Sequence, residues 1–458
     1  MRDRQEFGRS DIEAAAEKLL RSARAKPELL GADVLFRHAR TWALSLLDGV
    51  PEENACGVSG GLSLRLIAKD GRQGLAVTND FSSESLHELV EWSYNNCLAS
   101  EKDEDISLYD GLPDYDDTSL ELYDERMESI ADAGFRMDTC LVMNEIARSR
   151  DARVASVRSA GWNHGLIEMF YASTAGLSFW KRGTTASCGV SVVLSDGEEF
   201  ETGAYGRVAR FTEDLDAEDA ARKAVDRTLM ILGGRSLPTG KYTLLLDPEV
   251  SASLVDEIGD MFCASEVHRG RSLMAGKLGH RVAGSVFSLA DDSRITRGIA
   301  TSSCDLEGVP TGRTLLIDKG VANAYLYNLQ YAARDGAKST GSASRGLSSL
   351  PDVGTSNLVL QPGNETPESL MKRVRRGFLV LELMGLHTIN SVTGDFSLGA
   401  RGVQIENGEP RGPVSGVTIA DNLIGFLQKI TSVGNDLVFH GSTGAPTIVV
   451  EDVTLAGE

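Results

Sequence analysis

Residues 233–240 read GGRSLPTG, and this run constrains the chain more than any other segment. Glycines at 233, 234 and 240 around a proline at 238 are incompatible with a helix or strand interior, where glycine costs backbone entropy and proline lacks a donor. Before the run, apolar residues recur at helical spacing over 217–232. After it, KYTLLLD has the composition of a strand. The segment therefore divides the chain into two units, residues 1–234 and 235–458. Both exceed the length at which a chain supports its own core, roughly 100 residues or more.

In the first unit, Ser10-x-x-Glu13 has capping-box spacing and predicts a helix from Ser10 to about Lys26. Residues 32–49, 61–71 and 72–80 alternate enough to predict an antiparallel set turning at Lys69-Asp70-Gly71. Two helices follow. The first, over 85–100, carries Leu86, Leu89, Val90, Tyr94, Cys97 and Leu98 on one face, and the second covers 120–148. Strands resume over 154–210, broken at Ala175-Gly176 and Ser195-Asp196-Gly197, before the helix at 217–232.

In the second unit, Asp247 and Pro248 have the chemistry of an N-cap and a first helical turn. Asp318-Lys319-Gly320 and Glu406-Asn407-Gly408 predict tight hairpin turns. A helix starting at Thr366-Pro367 is expected to stop at Gly377, before the strand FLVLELM. No solenoid period is present. The expected class is α+β: two domains, each built on antiparallel or mixed sheets with flanking helices, the C-terminal one richer in strand.

Charge narrows the function classes. With 66 acidic against 46 basic residues the formal charge is -20, a field that repels phosphate backbones and anionic lipid surfaces. Neither nucleic acid nor a membrane is expected as a direct partner. The acidic stretch 101–125 is expected to be a solvated linker leading into a helix. Cys56, Cys97, Cys140, Cys188, Cys263 and Cys304 stand singly, as free thiols do in a reducing compartment. The N-terminal residues lack an apolar signal core, and no run approaches about 18 apolar residues. A cytoplasmic protein is expected.

Most of the apparent catalytic motifs fail on context. Gly57-Val58-Ser59-Gly60-Gly61 fits G-x-S-x-G, but a nucleophile elbow needs a helix after the serine and a strand pattern follows. A glycine-rich turn feeding a sheet edge is the expected structure there. His87-Glu88 opens like H-E-x-x-H, yet the fifth position is Glu91, which leaves one zinc ligand missing. Gly336-Ala337-Lys338-Ser339 echoes only the end of a phosphate-binding loop. His38, His164, His268, His280, His387 and His440 show no ligand spacing.

From residue 300 onward the sequence becomes specific. Asp305-Leu306-Glu307-Gly308-Val309-Pro310-Thr311, Lys338-Ser339-Thr340-Gly341, Glu382-Leu383-Met384-Gly385 and the run from Thr393-Gly394-Asp395-Phe396-Ser397-Leu398-Gly399 to Ala400-Arg401-Gly402 come first. Glu406-Asn407-Gly408, Pro413-Val414-Ser415, Thr418-Ile419-Ala420-Asp421-Asn422-Leu423 and Val433-Gly434-Asn435-Asp436 follow. In order and spacing they resemble the TldD/PmbA family. The resemblance implies a two-domain subunit that dimerises around an inner cavity in which unfolded peptides are cut. It also implies, for TldD-type subunits, a zinc site made by H-E-x-x-x-H on the helix after the first strand of the C-terminal domain and by a cysteine near the C-terminus.

The matching helix here reads PEVSASLVDEIGDMF, with Asp256, Glu257 and Asp260 but no histidine, and no cysteine follows Cys304. The chain thus resembles the PmbA/TldE-type subunit. No cofactor is expected in it, and zinc is expected in a TldD-type partner. Asp256 and Asp260, one turn apart, leave open a hard-cation site. Thr393, Gly394, Asp395, Ser397 and Gly399 have the composition of a loop that meets peptide or partner, or of a tight turn in which Asp395 bonds its own backbone. Asn435 and Asp436 suit a turn or cap, with substrate contact as the alternative.

The expected function is a non-catalytic subunit of a heterodimeric peptidase acting on unfolded peptides. Self-association into a homodimer is the other assembly in view. Two alternatives stay open: an acidic binding protein, in line with the family's older label of DNA gyrase modulator, and a homodimeric peptidase with a different metal site.

Overall fold

The structure is a computed structural model that describes residues 8–111, 115, 117–130 and 133–457. In the first half the elements are α1 (Arg9–Arg24), β1 (Leu29–Leu47), β2 (Val50–Ala68), β3 (Gln73–Thr78), α2 (Ser83–Ala99), α3 (Arg126–Ser129), α4 (Ala133–Arg150), β4 (Val154–Ser173), β5 (Ser178–Asp196), β6 (Glu199–Ala209) and α5 (Ala217–Ile231). The strands form one antiparallel sheet in the order β3-β2-β1-β4-β5-β6. Its long strands alternate, and one set of side chains is apolar. Under α1 and α2 that set includes Leu62, Leu64 and Phe170; under α4 and α5 it includes Trp162, Val190 and Tyr205. Ile12, Leu19 and Leu20 of α1 are all buried, each worth about 1.5–3 kcal/mol of transfer free energy.

The second half begins with β7 (Gly240–Leu246), α6 (Pro248–Asp260), α7 (Ala264–His268), β8 (Leu289–Asp292), β9 (Arg313–Asp318), β10 (Val321–Ala322), α8 (Leu329–Arg334), β11 (Ala343–Ser344), β12 (Asp352–Val353) and β13 (Leu358–Leu360). It continues with α9 (Pro367–Lys372), β14 (Arg376–Met384), β15 (Asp395–Glu406), β16 (Glu409–Asn422), α10 (Leu423–Gln428), β17 (Ile430–Val433), β18 (Val438–His440), β19 (Thr443–Ala445) and β20 (Ile448–Ala456). Two mixed six-stranded sheets result, β10-β9-β8-β13-β19-β18 and β16-β15-β14-β7-β20-β17. Residues of both sheets and of α6 share one core around Leu244, Leu246, Phe262, Phe287 and Phe378. The class is α+β with a strand-rich C-terminal region.

Local chemistry accounts for the elements that match expectation. Asp247 accepts the Val250 N–H at 3.0 Å and caps α6. Asn407 and Gly408 both take positive φ, 52° and 80°, as a primed two-residue hairpin turn requires between β15 and β16. Gly74 of β3 shows why a glycine is needed: a Cβ there would lie 2.1 Å from the Cys97 N of α2.

Five expectations need correction. Helix α1 is capped at Gly8, whose N–H is accepted by the Asp11 carboxylate at 3.1 Å, so Ser10 lies within the helix. The helix expected over 120–148 is broken, because Glu121 adopts φ 50° and the Asp124 carboxylate caps Arg126 N–H at 3.1 Å; helix resumes in α3 and α4. Residues 57–61 are not a turn but the middle of β2, paired with β1 over Gly57↔Thr41 to Gly61↔Arg37. There a Cβ on Gly60 would sit 2.5 Å from the Arg37 carbonyl. Helix α9 ends at Lys372, and Gly377 belongs to β14. Leu98, placed on the buried face of α2, is half exposed.

The acidic stretch also behaves differently from a free linker. Asp103 accepts Gln330 Nε2 at 2.6 Å and pairs with Arg334, while Asp105 accepts Arg334 Nε at 2.9 Å. These contacts strap the segment to α8; its residues 112–114 and 116 lie outside the described residues.

Candidate functional site

On the side of the first sheet that faces away from α4 and α5, the stretch across β4, β5 and β6 carries mainly glycine, serine and other small side chains. Register places Ser45, Gly161, Gly189 and Gly206 in one row across β1, β4, β5 and β6. The rows beside it are Ser159, Ser191 and Ala204, and Asn163, Ser187 and Val208. Their neighbours Trp162, Cys188, Val190 and Tyr205 point the other way, into the core, as strand alternation demands. The outcome is a trough with a backbone floor. Glu249 of α6 and Phe439, His440 and Gly441 of the second half close it into a cavity of about 540 Å³, within the roughly 300–1,000 Å³ usual for ligand sites.

Charged side chains gather beside the cavity at the β6 edge, on the side of the sheet that Tyr205 faces. Arg207 Nη1 donates to the Phe439 carbonyl at 3.2 Å, and its guanidinium lies 5.5 Å from the Tyr205 ring centre. Arg227 of α5 pairs with Asp247 and with Glu249 at 3.1 Å, and donates to the Leu381 carbonyl at 2.9 Å. Burial pushes the Asp247 and Glu249 carboxyls up, against the pull of Arg227. Burial, followed by Arg207, Arg227 and Lys223, pushes His440 down to about 4, so its ring is neutral at pH 7. Burial raises the Cys188 thiol to about 11. A protonated thiol and an imidazole this weakly basic are poor nucleophile and base at neutral pH.

Helix α6 connects this cavity to the second half. Val250, Leu254, Val255 and Ile258 are buried in the core, and Asp256, Glu257 and Asp260 lie on the polar side. Thr443 Oγ1 donates to Asp256 Oδ1 at 2.8 Å. Burial, then the neighbouring carboxylates, pushes Glu257 and Asp260 up. A zinc site needs imidazole or thiolate donors in a tetrahedron, about 2.0–2.3 Å from the metal. Among the described residues no group of three or more His, Cys, Asp or Glu is placed to hold a metal ion. The residues on α6 do not fit the zinc that the family motif implies.

The other candidate residues lie elsewhere. Thr393 and Gly394 form the turn before β15, with Gly394 at φ 81°, and Asp395, Ser397 and Gly399 lie in β15 itself, opposite Asn422, Ala420 and Thr418. Asp395 accepts from the Thr393 hydroxyl at 2.9 Å and from Asn422 Nδ2 at 3.2 Å. Its side chain bonds side chains, not its own backbone. Asp436 accepts the Thr447 N–H at 3.1 Å and hydroxyl at 2.7 Å, eleven residues further on, and Asn435 N–H donates to the Glu365 carbonyl at 2.8 Å. None of the seven lines the cavity. Arg207, Glu249, Phe439 and His440 went unnoticed as a group because they meet only through tertiary contacts. The one signal in the sequence was the alternation of Ser and Gly over 187–191.

Models of the PmbA/TldA metallopeptidase match the chain in three parts: domain 1 over residues 32–97, the central domain over 128–232 and the C-terminal domain over 239–457. The chain belongs to the PmbA/TldD family. Among relatives in this family, the metalloprotease PmbA of Escherichia coli O157:H7 is 24% identical over 99% of this chain and 98% of its own. A metalloprotease of Methanothermobacter thermautotrophicus is 25% identical over 90% of each chain. The solved structure of a putative modulator of a DNA gyrase from Thermotoga maritima superposes with a TM-score of 0.89 at 27% identity, covering 97% of this chain and all of the other. TldE from Thermococcus kodakarensis shares the fold, with a TM-score of 0.86 at 23% identity over 97% of this chain and all of the other. Among the described residues of this PmbA/TldD chain, no helix is long and apolar enough to cross a membrane.

Proposed function

We propose that this chain is a non-catalytic TldE/PmbA-like subunit, working in the cytoplasm, that grips unfolded peptide beside a TldD-type zinc peptidase partner. The observation that carries the reading is the polar side of α6, where Asp256, Glu257 and Asp260 stand and Asp256 is tied to Thr443. A backbone-floored trough is suited to an extended peptide, because main-chain hydrogen bonding along a strand makes few demands on side-chain identity. The domain units 1–234 and 235–458 and the heterodimer belong to the same proposal. The test is reconstitution: the chain alone leaves an unstructured peptide intact, and cleavage begins when a TldD-type partner is added. Chelator-sensitive cleavage by the lone chain would defeat the reading.

One specific observation favours a second reading, that of an acidic regulatory binding protein. The Thermotoga maritima neighbour carries the description of a putative DNA gyrase modulator, and this chain has a formal charge of -20. Pull-down of gyrase by this chain in cells lacking any TldD-type partner would support it; absence of gyrase from the pull-down counts against it.

A further inference from the structure

We draw no further inference here: the strongest candidate, the edge of β6, whose backbone from Ala204 to Val208 borders the cavity with no strand beyond it among the described residues, belongs to the peptide site already described.

Discussion

Asp33 and Arg345, 312 residues apart, meet as a buried ion pair, with Arg345 Nη2 2.7 Å from Asp33 Oδ1 and neither side chain exposed. Arg65 Nε takes the other oxygen at 2.7 Å, and Glu307 lies 3.6 Å from Arg65 Nη1. Burial by itself would raise the Asp33 carboxyl, but the two guanidiniums outweigh it and hold it below the usual range. This cluster joins the first sheet to the segment around β11, and so fixes the wall of the molecule against the sheet that floors the trough.

Arg345→Met removes one partner and leaves a buried carboxylate shared with Arg65 alone. Breaking a buried pair from one side costs about 3–5 kcal/mol, since the remaining charge keeps its desolvation penalty. Chemical denaturation of the full chain should report a loss of that order. A loss below about 1 kcal/mol would mean that the pair is open to water.

Asp305 provides a pH signature. Its carboxylate accepts the N–H groups of Glu307, Val309 and Ala343 at 2.9 Å each, yet burial, reinforced by Glu307, pushes its pKa up to about 7. A carboxyl raised in the fold binds its proton more tightly there than in the unfolded chain, where its pKa is about 3.9. Its contribution is full below about pH 4 and is lost as pH rises through 7. Asp305→Asn should be less stable at every pH, because its amide presents a donor where N–H groups converge, but its melting temperature should fall less than the parent's between pH 5 and 7.5. Parallel melting profiles would refute this assignment.

His164 acts in the opposite direction. It stacks on Trp42 with ring centres 4.8 Å apart, neither ring nitrogen has a hydrogen-bond partner among the described residues, and burial followed by Arg136 pushes its pKa down to about 4. Stability tied to this ring is complete above the unfolded pKa of about 6.5 and lost as pH falls towards 4. His164→Phe keeps the stack and removes the proton. Melts at pH 5 and pH 7.5 should show a smaller difference for the variant than for the parent, and an unchanged difference would count against the assignment.

The trough itself can be filled without unfolding the sheet. A Cβ on Gly161 meets nothing closer than 3.7 Å, and β-branched residues suit strands. Gly161→Val should therefore melt within a few degrees of the parent while peptide affinity drops at least ten-fold by anisotropy. Undiminished peptide binding would place the peptide elsewhere.

How much of this was readable in the sequence depended on how local the cause was. The cap at Asp247, the turn at Asn407-Gly408 and the breaks at Gly176 and Gly197 are decided by a few adjacent residues, and each is visible in the sequence. The first part of β2 was not, because residues 50–60 are exposed on both faces and so lack the apolar alternation by which a half-buried strand is recognised. The break after Leu120 was hidden because Glu121 adopts a left-handed conformation rare for its type. The cavity was the least legible part. Gly161, Gly189 and Gly206 become a row only through strand register, and Arg207 meets Phe439 across 232 residues of chain. The polar face of α6, by contrast, was already visible in the spacing of Asp256 and Asp260.

The central claim, that this PmbA/TldD chain contributes grip and wall instead of a metal centre, is tested most directly by zinc stoichiometry. The full-length chain is equilibrated with excess zinc, freed of loosely held metal by gel filtration and analysed by plasma mass spectrometry. The account predicts well under one zinc per ten chains, about the level of adventitious carry-over. One zinc retained per chain would contradict it.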